Sequence, residues 1–107
     1  MALTRNFRTT VKARADRDPE FRVGLLQEAL EAFIAGDVAT GKVLLRDYVN
    51  ATMGFDTLAG QLNKNPKSLM RMLSADGNPR ADNLFAMIAH LEAREGVAFS
   101  VRRSEPA

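Results

Sequence analysis

The sequence predicts an all-α fold, a small bundle of short helices around one core. Three observations carry that prediction. Apolar residues recur at three- and four-residue steps along nearly the whole chain. Start and stop residues punctuate the pattern at Asp18-Pro19, Gly36-Asp37, Gly54, Asn65-Pro66 and Gly96. Strand-like alternation is confined to one short stretch near the end, "VAFSV".

Taken in order, "TRNFRTTVKARADR" reads as a short basic helix with Phe7 and Val11 four residues apart. Asp18 caps the next helix and Pro19 suits its first turn. That helix steps Phe21, Leu25, Ala29 and Phe33 toward a core, with Leu26, Leu30 and Ile34 alongside. Its outer face carries Glu28 and Glu31. Gly36 closes it and Asp37 caps the following one. "VATGKVLLRDYVNATMG" is expected to bury some of Val38, Leu44, Leu45, Tyr48 and Val49, and to end at Gly54.

"FDTLAGQLN" is barely two turns, with Leu58, Ala59 and Leu62 inward. "NPKSLMRMLS" opens on Asn65 as cap and Pro66 as first residue, with Leu69, Met72 and Leu73 as its buried stripe. "ADGNPR" is a turn cluster. "ADNLFAMIAHLEAREG" is strongly apolar, with Leu84, Phe85, Ile88 and Leu91 in phase and Gly96 as its stop. In "VAFSVRR", Val97, Phe99 and Val101 alternate as in a short strand. A lone strand could pair with its own copy across a two-fold axis, pack on the body, or fray. The chain divides into a helical extension over 1–37 that shares the core, a central unit over 38–96, and a strand or tail over 97–107.

Composition narrows the function classes. The 107 residues favour one domain with a small core, since 46% are hydrophobic. Without cysteine there is no disulfide framework and no cysteine zinc site, which suits a reducing cytoplasm. His90 stands alone and cannot build a metal cluster by itself. No apolar run approaches the roughly 18 residues of a membrane span. Early charges and the lack of an apolar segment mean that the N-terminus does not read as a secretory signal. Net charge is +2, unevenly placed. Residues 1–17 hold five bases and one acid, a net +4, and residues 18–37 hold one base and five acids, a net −4. Residues 55–80 hold four bases and two acids, a net +2. That layout permits a nucleic-acid or other anionic partner, and equally suits ordinary solvated faces.

The stretch from Leu58 to Pro79 carries the most chemistry. Two short helices joined by a turn of three to four residues form a helix-turn-helix, in which the first braces the second. With Leu69, Met72 and Leu73 inside, the outward positions are Pro66, Lys67, Met70 and Arg71, and Ser68 sits at the boundary. Lys67 and Arg71 are four apart and share a face. The amides at the start of that helix suit a phosphate. Arginine is the commonest bidentate reader of guanine, and lysine reads guanine or holds phosphate. A core hairpin with solvated charges would show the same residues.

At these residues the chain resembles an Xre-type, lambda-repressor-like DNA-binding domain. The resemblance rests on "FDTLAGQLN" with the small Ala59, on "NPKSLMRMLS", on the loop "SADGNPR", and on "ADNLFAMIAHLEAREGV". It spans roughly residues 39–97. With the upstream "RDPEFRVGLLQEALEAFIAGDVATGKVLLRDYVNATMGFDTLA", nearly the whole chain resembles the HigA-like family of addiction-module antidotes. The resemblance implies a lambda-repressor-like helix-turn-helix bundle with an N-terminal helical extension. It implies an antitoxin that represses its own operon and neutralises a RelE/HigB-like toxin, a small enzyme that cleaves messenger RNA. Lys67 and Arg71 then fall on base-contacting positions of the recognition helix, as does Pro66, which has no polar side chain to offer. Asn65 caps that helix and meets a phosphate, and Ser68 lies beside the readers. Lys64 and Arg80 would neutralise phosphates. Phe55 and Asp56 stand at the start of the first short helix, where a polar residue usually faces the DNA backbone. Asn63 stands where glycine is common, and it tolerates the left-handed conformation. Such modules bind as homodimers with recognition helices about 34 Å apart.

Two further readings are weighed against this one. A protein-interaction module would keep the fold with weak or no specific DNA binding. The acidic helix, through Glu20, Glu28 and Glu31, would then be a docking face for a basic toxin, or simply a solvated face. An enzyme is disfavoured, because no nucleophile–base pair, metal-ligand spacing or phosphate-cradling loop is present, and no cofactor is expected. His90 is expected to be packed or half-exposed. Met53, Met72 and Met87 read as core or interface filler, while Met70 points outward beside Arg71.

Overall fold

A computed structural model describes residues 5–105, with the side chains of residues 10–105. The order is α1 (Arg5–Arg17), α2 (Pro19–Ile34), α3 (Val38–Ala51), α4 (Gly54–Leu62), α5 (Pro66–Met72) and α6 (Ala81–Glu95). The chain is all-helical among the described residues.

The boundaries follow from local hydrogen bonding. The Asp18 carboxylate accepts the Phe21 amide at 3.2 Å, and Pro19 fills the first turn of α2. Asp37 does the same for Thr40 at the start of α3. Gly36 and Gly96 adopt φ of 85° and 71°, the left-handed turn that ends a helix without a Cβ clash. Gly54 departs from its expected role. The α3 helix already stops at Ala51, and Gly54, at φ 80°, opens α4.

Helix α2 lies along α3 in the most extensive pairing of the fold, and α1 rests on both. Leu26 and Ala29 from α2 meet Leu45, Tyr48 and Val49 from α3 in one core. Phe55, Leu58 and Ala59 of α4, Leu69 of α5, Leu73 just beyond it, and Leu84, Met87, Ile88 and Leu91 of α6 complete it. At Gly41 a Cβ would stand 2.6 Å from the Phe33 ring, so the glycine leaves the room into which that ring packs against α3.

Three further expectations need correction. Ile34, at the last residue of α2, is 67% exposed; Val38 in the first turn of α3 is exposed too, so the burial expected of α3 falls to Leu45, Tyr48 and Val49. Ile34 and Val38 both sit at the bend between two helices, beyond the reach of the facing helix. Phe85 is 60% exposed. One residue turns a helix by about 100°, so the stripe through Leu84, Met87, Ile88 and Leu91 carries Phe85 away from the core. The C-terminal strand does not form among the described residues. Residues 97–105 pair with no ladder, and a strand without a partner leaves its backbone groups unmet. Instead the Phe99 amide donates to Glu92 Oε2 at 2.7 Å and its ring packs on the core, while Val101 points to solvent. The Phe7 side chain lies outside the described ones.

Candidate nucleic-acid interface

Helix α4 is anchored by Leu58 and Ala59, both essentially inaccessible. It ends at Asn63, whose φ of 54° and ψ of 48° are left-handed. Lys64 then donates its amide to Ala59 O at 2.9 Å, which reverses the chain. Asn65 is extended and accepts the Lys67 amide on Oδ1 at 2.8 Å, and Pro66 begins α5. So Asn63, Lys64 and Asn65 alone join the two helices. The amide of Lys67 is spent on the cap, so the start of this seven-residue helix is not an open anion cradle.

Leu69 and Leu73 are fully buried and fix the roll of α5. The same roll exposes Lys67, Ser68, Met70 and Arg71. Met70 is 48% exposed. Among the described residues, neither the Lys67 amino group nor the Arg71 guanidinium is held in an ion pair. Lys64 is exposed at the turn. Arg80 lies across the following loop at the cap of α6, exposed and 3.4 Å from Asp82. Thus Lys64, Asn65, Lys67, Ser68 and Arg71 share one turn and one short helix. Phe55 is buried rather than presented at the start of α4, while Asp56 is exposed there.

A groove runs beside this face, lined by Ser68, Arg71, Met72, Asp76, Gly77 and Asn78. One wall is α5 and the other is the loop that follows it. At Gly77 an added Cβ would sit 2.0 Å from Arg71 O, so the loop lies directly on the end of α5.

Glu20, Glu28 and Glu31 are all exposed on α2. Glu31 accepts a hydrogen bond from Gln27 Nε2 at 3.0 Å. They belong to a different helix from the basic cluster. His90 is partly buried, and its Nε2 lies 2.6 Å from Gln61 Oε1, tying α6 to α4.

Two polar assemblies outside this face escape sequence reading. The first is Lys42, which is only 6% exposed. Its Nζ donates to Gly77 O at 2.7 Å, Ser74 O at 2.9 Å and Ala75 O at 3.3 Å. Four residues on, Arg46 donates to Leu73 O at 3.2 Å. The second centres on Glu95, whose side chain is 3% exposed. Arg22 Nε donates to both its oxygens, at 3.1 and 3.0 Å, and a second Arg22 nitrogen donates to Ala15 O at 2.6 Å. Tyr48 and Arg94 complete the cluster, at 2.5 and 2.7 Å from Glu95 Oε2.

Burial pushes the Glu95 carboxyl upward, but hydrogen bonds from Tyr48 and Arg22 and the charges of Arg22 and Arg94 outweigh it and hold it below its usual 4.5. Tyr48 is pushed up to about 12, first by burial and then by its bond to Glu95. The only hint in the sequence is that Tyr48 falls on a buried stripe, where a phenol needs a partner. Comparison of the chain with family models, curated proteins and solved structures finds no match.

Proposed function

We propose that the protein is a sequence-specific DNA-binding transcriptional regulator of the lambda-repressor-like type, acting as the antitoxin of a toxin–antitoxin pair. One observation carries this reading. The exposed face of α5 presents Lys67 and Arg71 uncommitted, while Leu69 and Leu73 lock the opposite face into the core. A helix held so firmly, with two cations aimed outward and in no ion pair among the described residues, suits insertion into the major groove. Arg71 reads guanine through N7 and O6, Lys67 reads a neighbouring acceptor or holds a phosphate, and Met70 meets a thymine methyl. Lys64 and Arg80 neutralise phosphates, and Asn65 and Ser68 flank the contact. Arg80 exchanges its solvent-exposed bridge to Asp82 for phosphate at little cost, since such pairs contribute roughly 0–1 kcal/mol.

In this reading residues 38–96 form the DNA-binding unit and residues 1–37 an extension on the same core. A homodimer places two α5 helices about one DNA turn apart. The toxin partner is a basic RelE/HigB-like ribonuclease, and the setting is the cytoplasm. The test is a salt titration of binding to the protein's own upstream DNA against a scrambled duplex. Arg71→Ala should weaken specific binding by roughly 1–3 kcal/mol and relax one base position. Unchanged affinity and selectivity at matched salt would rule out α5 as the reader.

Asp56 and Asp76 favour a second reading. Asp76 shares the groove with Arg71, and Asp56 is exposed at the start of α4, so each places a carboxylate where the DNA-binding reading expects a phosphate. The chain would then be a protein-interaction module, with Glu20, Glu28 and Glu31 as the docking face for the basic partner. Reversing the charge of Glu28 and Glu31 should abolish capture of that partner. Capture at full strength by the reversed variant removes this face from consideration.

A further inference from the structure

We infer that Lys42 is a positioning residue for DNA recognition: it clamps the loop 74–78 as the wall beside Arg71 and so sets the selectivity of α5. The inference rests on the DNA-binding reading above and assigns a role to a residue that cannot itself touch DNA.

The geometry begins on one face of α3. Lys42 and Arg46 are four apart, so their side chains leave the helix in the same direction. Together they take the carbonyls of Leu73, Ser74, Ala75 and Gly77. A lysine head has three donors, and here each meets a backbone oxygen. Bonds from a charged donor are about twice as strong as neutral ones. Four carbonyls from one short segment therefore turn inward on a single helix face.

Two consequences follow for the groove. The loop cannot move outward without losing these bonds. Nor can it move inward, because Gly77 already lies against the Arg71 carbonyl. Asp76 and Asn78 are thus held on the wall shared with Ser68 and Arg71. A phosphate entering beside Arg71 is repelled by the Asp76 charge more strongly than a base edge, which carries no net charge. The fixed carboxylate penalises the wrong contact, which is how selectivity is gained by repulsion. Freeing the loop removes that penalty. Backbone contact then becomes easier while base selectivity falls.

This separates Lys42 from a lysine that binds phosphate. Losing a phosphate contact lowers the salt slope by about one. Losing Lys42 should not lower the slope, and should lower the ratio of specific to non-specific affinity. The experiment uses the full chain as wild type, Lys42→Met and Lys42→Gln. Each is titrated with its own upstream duplex and a scrambled duplex across a salt series. Amide hydrogen exchange is recorded without DNA.

The expected result for Lys42→Met is a selectivity ratio reduced roughly tenfold or more with a slope that does not fall. Exchange should accelerate over residues 73–78 while core amides of α2 and α3 stay protected. Lys42→Gln, which keeps part of the donor set, should fall between Lys42→Met and wild type. A folded Lys42→Met with wild-type selectivity and loop protection overturns the inference, as does a slope lowered by about one. Uniform loss of protection along the chain in both variants also overturns it, since Lys42 would then only support the fold. If the wild type itself does not discriminate between the duplexes, the DNA-binding reading fails. The exchange pattern then decides alone whether Lys42 holds the loop.

Discussion

Replacing Glu95 with glutamine should destabilise the protein more than any single change on its surface. The carboxylate is 3% exposed and takes hydrogen bonds from Arg22, Tyr48 and Arg94. Glutamine keeps the volume but gives up the charge and one acceptor, which leaves Arg22 and Arg94 without their counter-ion. Removing one partner of a buried pair costs about 3–5 kcal/mol. The Arg22 side chain is 20% exposed, and water can recover part of that loss. An expected cost of about 2–4 kcal/mol follows for this semi-buried case. In a domain near 100 residues each kcal/mol moves Tm by about 4–8 °C, so Tm should fall by roughly 10–25 °C.

Thermal unfolding followed by circular dichroism at neutral pH measures this directly. Arg22→Met and the double variant complete a cycle whose coupling should exceed about 1 kcal/mol. A Glu95→Gln protein melting within about 2 °C of wild type would refute the stabilising role of the Glu95 cluster. The pH dependence gives an independent check. The folded carboxyl lies below its ordinary 4.5, so the unfolded chain binds more protons on acidification. The stabilisation is present above the unfolded value near 4.5 and is lost as pH falls through the folded value. Glu95→Gln should lose that part of the acid sensitivity.

Other outcomes can be checked on the same preparations. Tyr48 is held protonated up to about 12 against an ordinary 10.0, so its contribution is intact below pH 10 and lost as pH rises through 12. Alkaline unfolding of the wild type over that window should exceed that of Tyr48→Phe by roughly 2–3 kcal/mol. Equal alkaline profiles would mean that the phenol is not the titrating group. Gly77→Ala should cost about 1–3 kcal/mol, because the new methyl would stand 2.0 Å from Arg71 O and the loop must shift. An unchanged Tm would show that the loop does not lie on α5 as described.

Much of the fold is legible in the residues because helix ends are local events. Asp18, Asp37 and Asn65 cap amides two or three residues away. Asn63 takes the left-handed turn that its short side chain tolerates, and the Leu69–Leu73 stripe fixes which face of α5 is free. The candidate reading face, Lys67 and Arg71, is visible for the same reason. Phe85 and Ile34 stay exposed because an apolar residue at helical spacing is buried only where a neighbour covers it. The strand expected over 97–101 failed similarly. Alternation marks a surface that a sheet could use, but no described element supplies the second strand.

The sequence by itself determined the all-helical class, the position of most caps, and the outward direction of Lys67 and Arg71, since each depends on residues within about one helical turn. Only the tertiary structure decided the roles of Lys42 and Glu95. Lys42 finds its acceptors 32 to 35 residues away, and Arg22 meets Glu95 across 73 residues. A charged residue on a helix reads as solvated until the packing of distant elements removes water from around it. Those distant partners then determine what ties α2 to α6 and what holds the loop after α5.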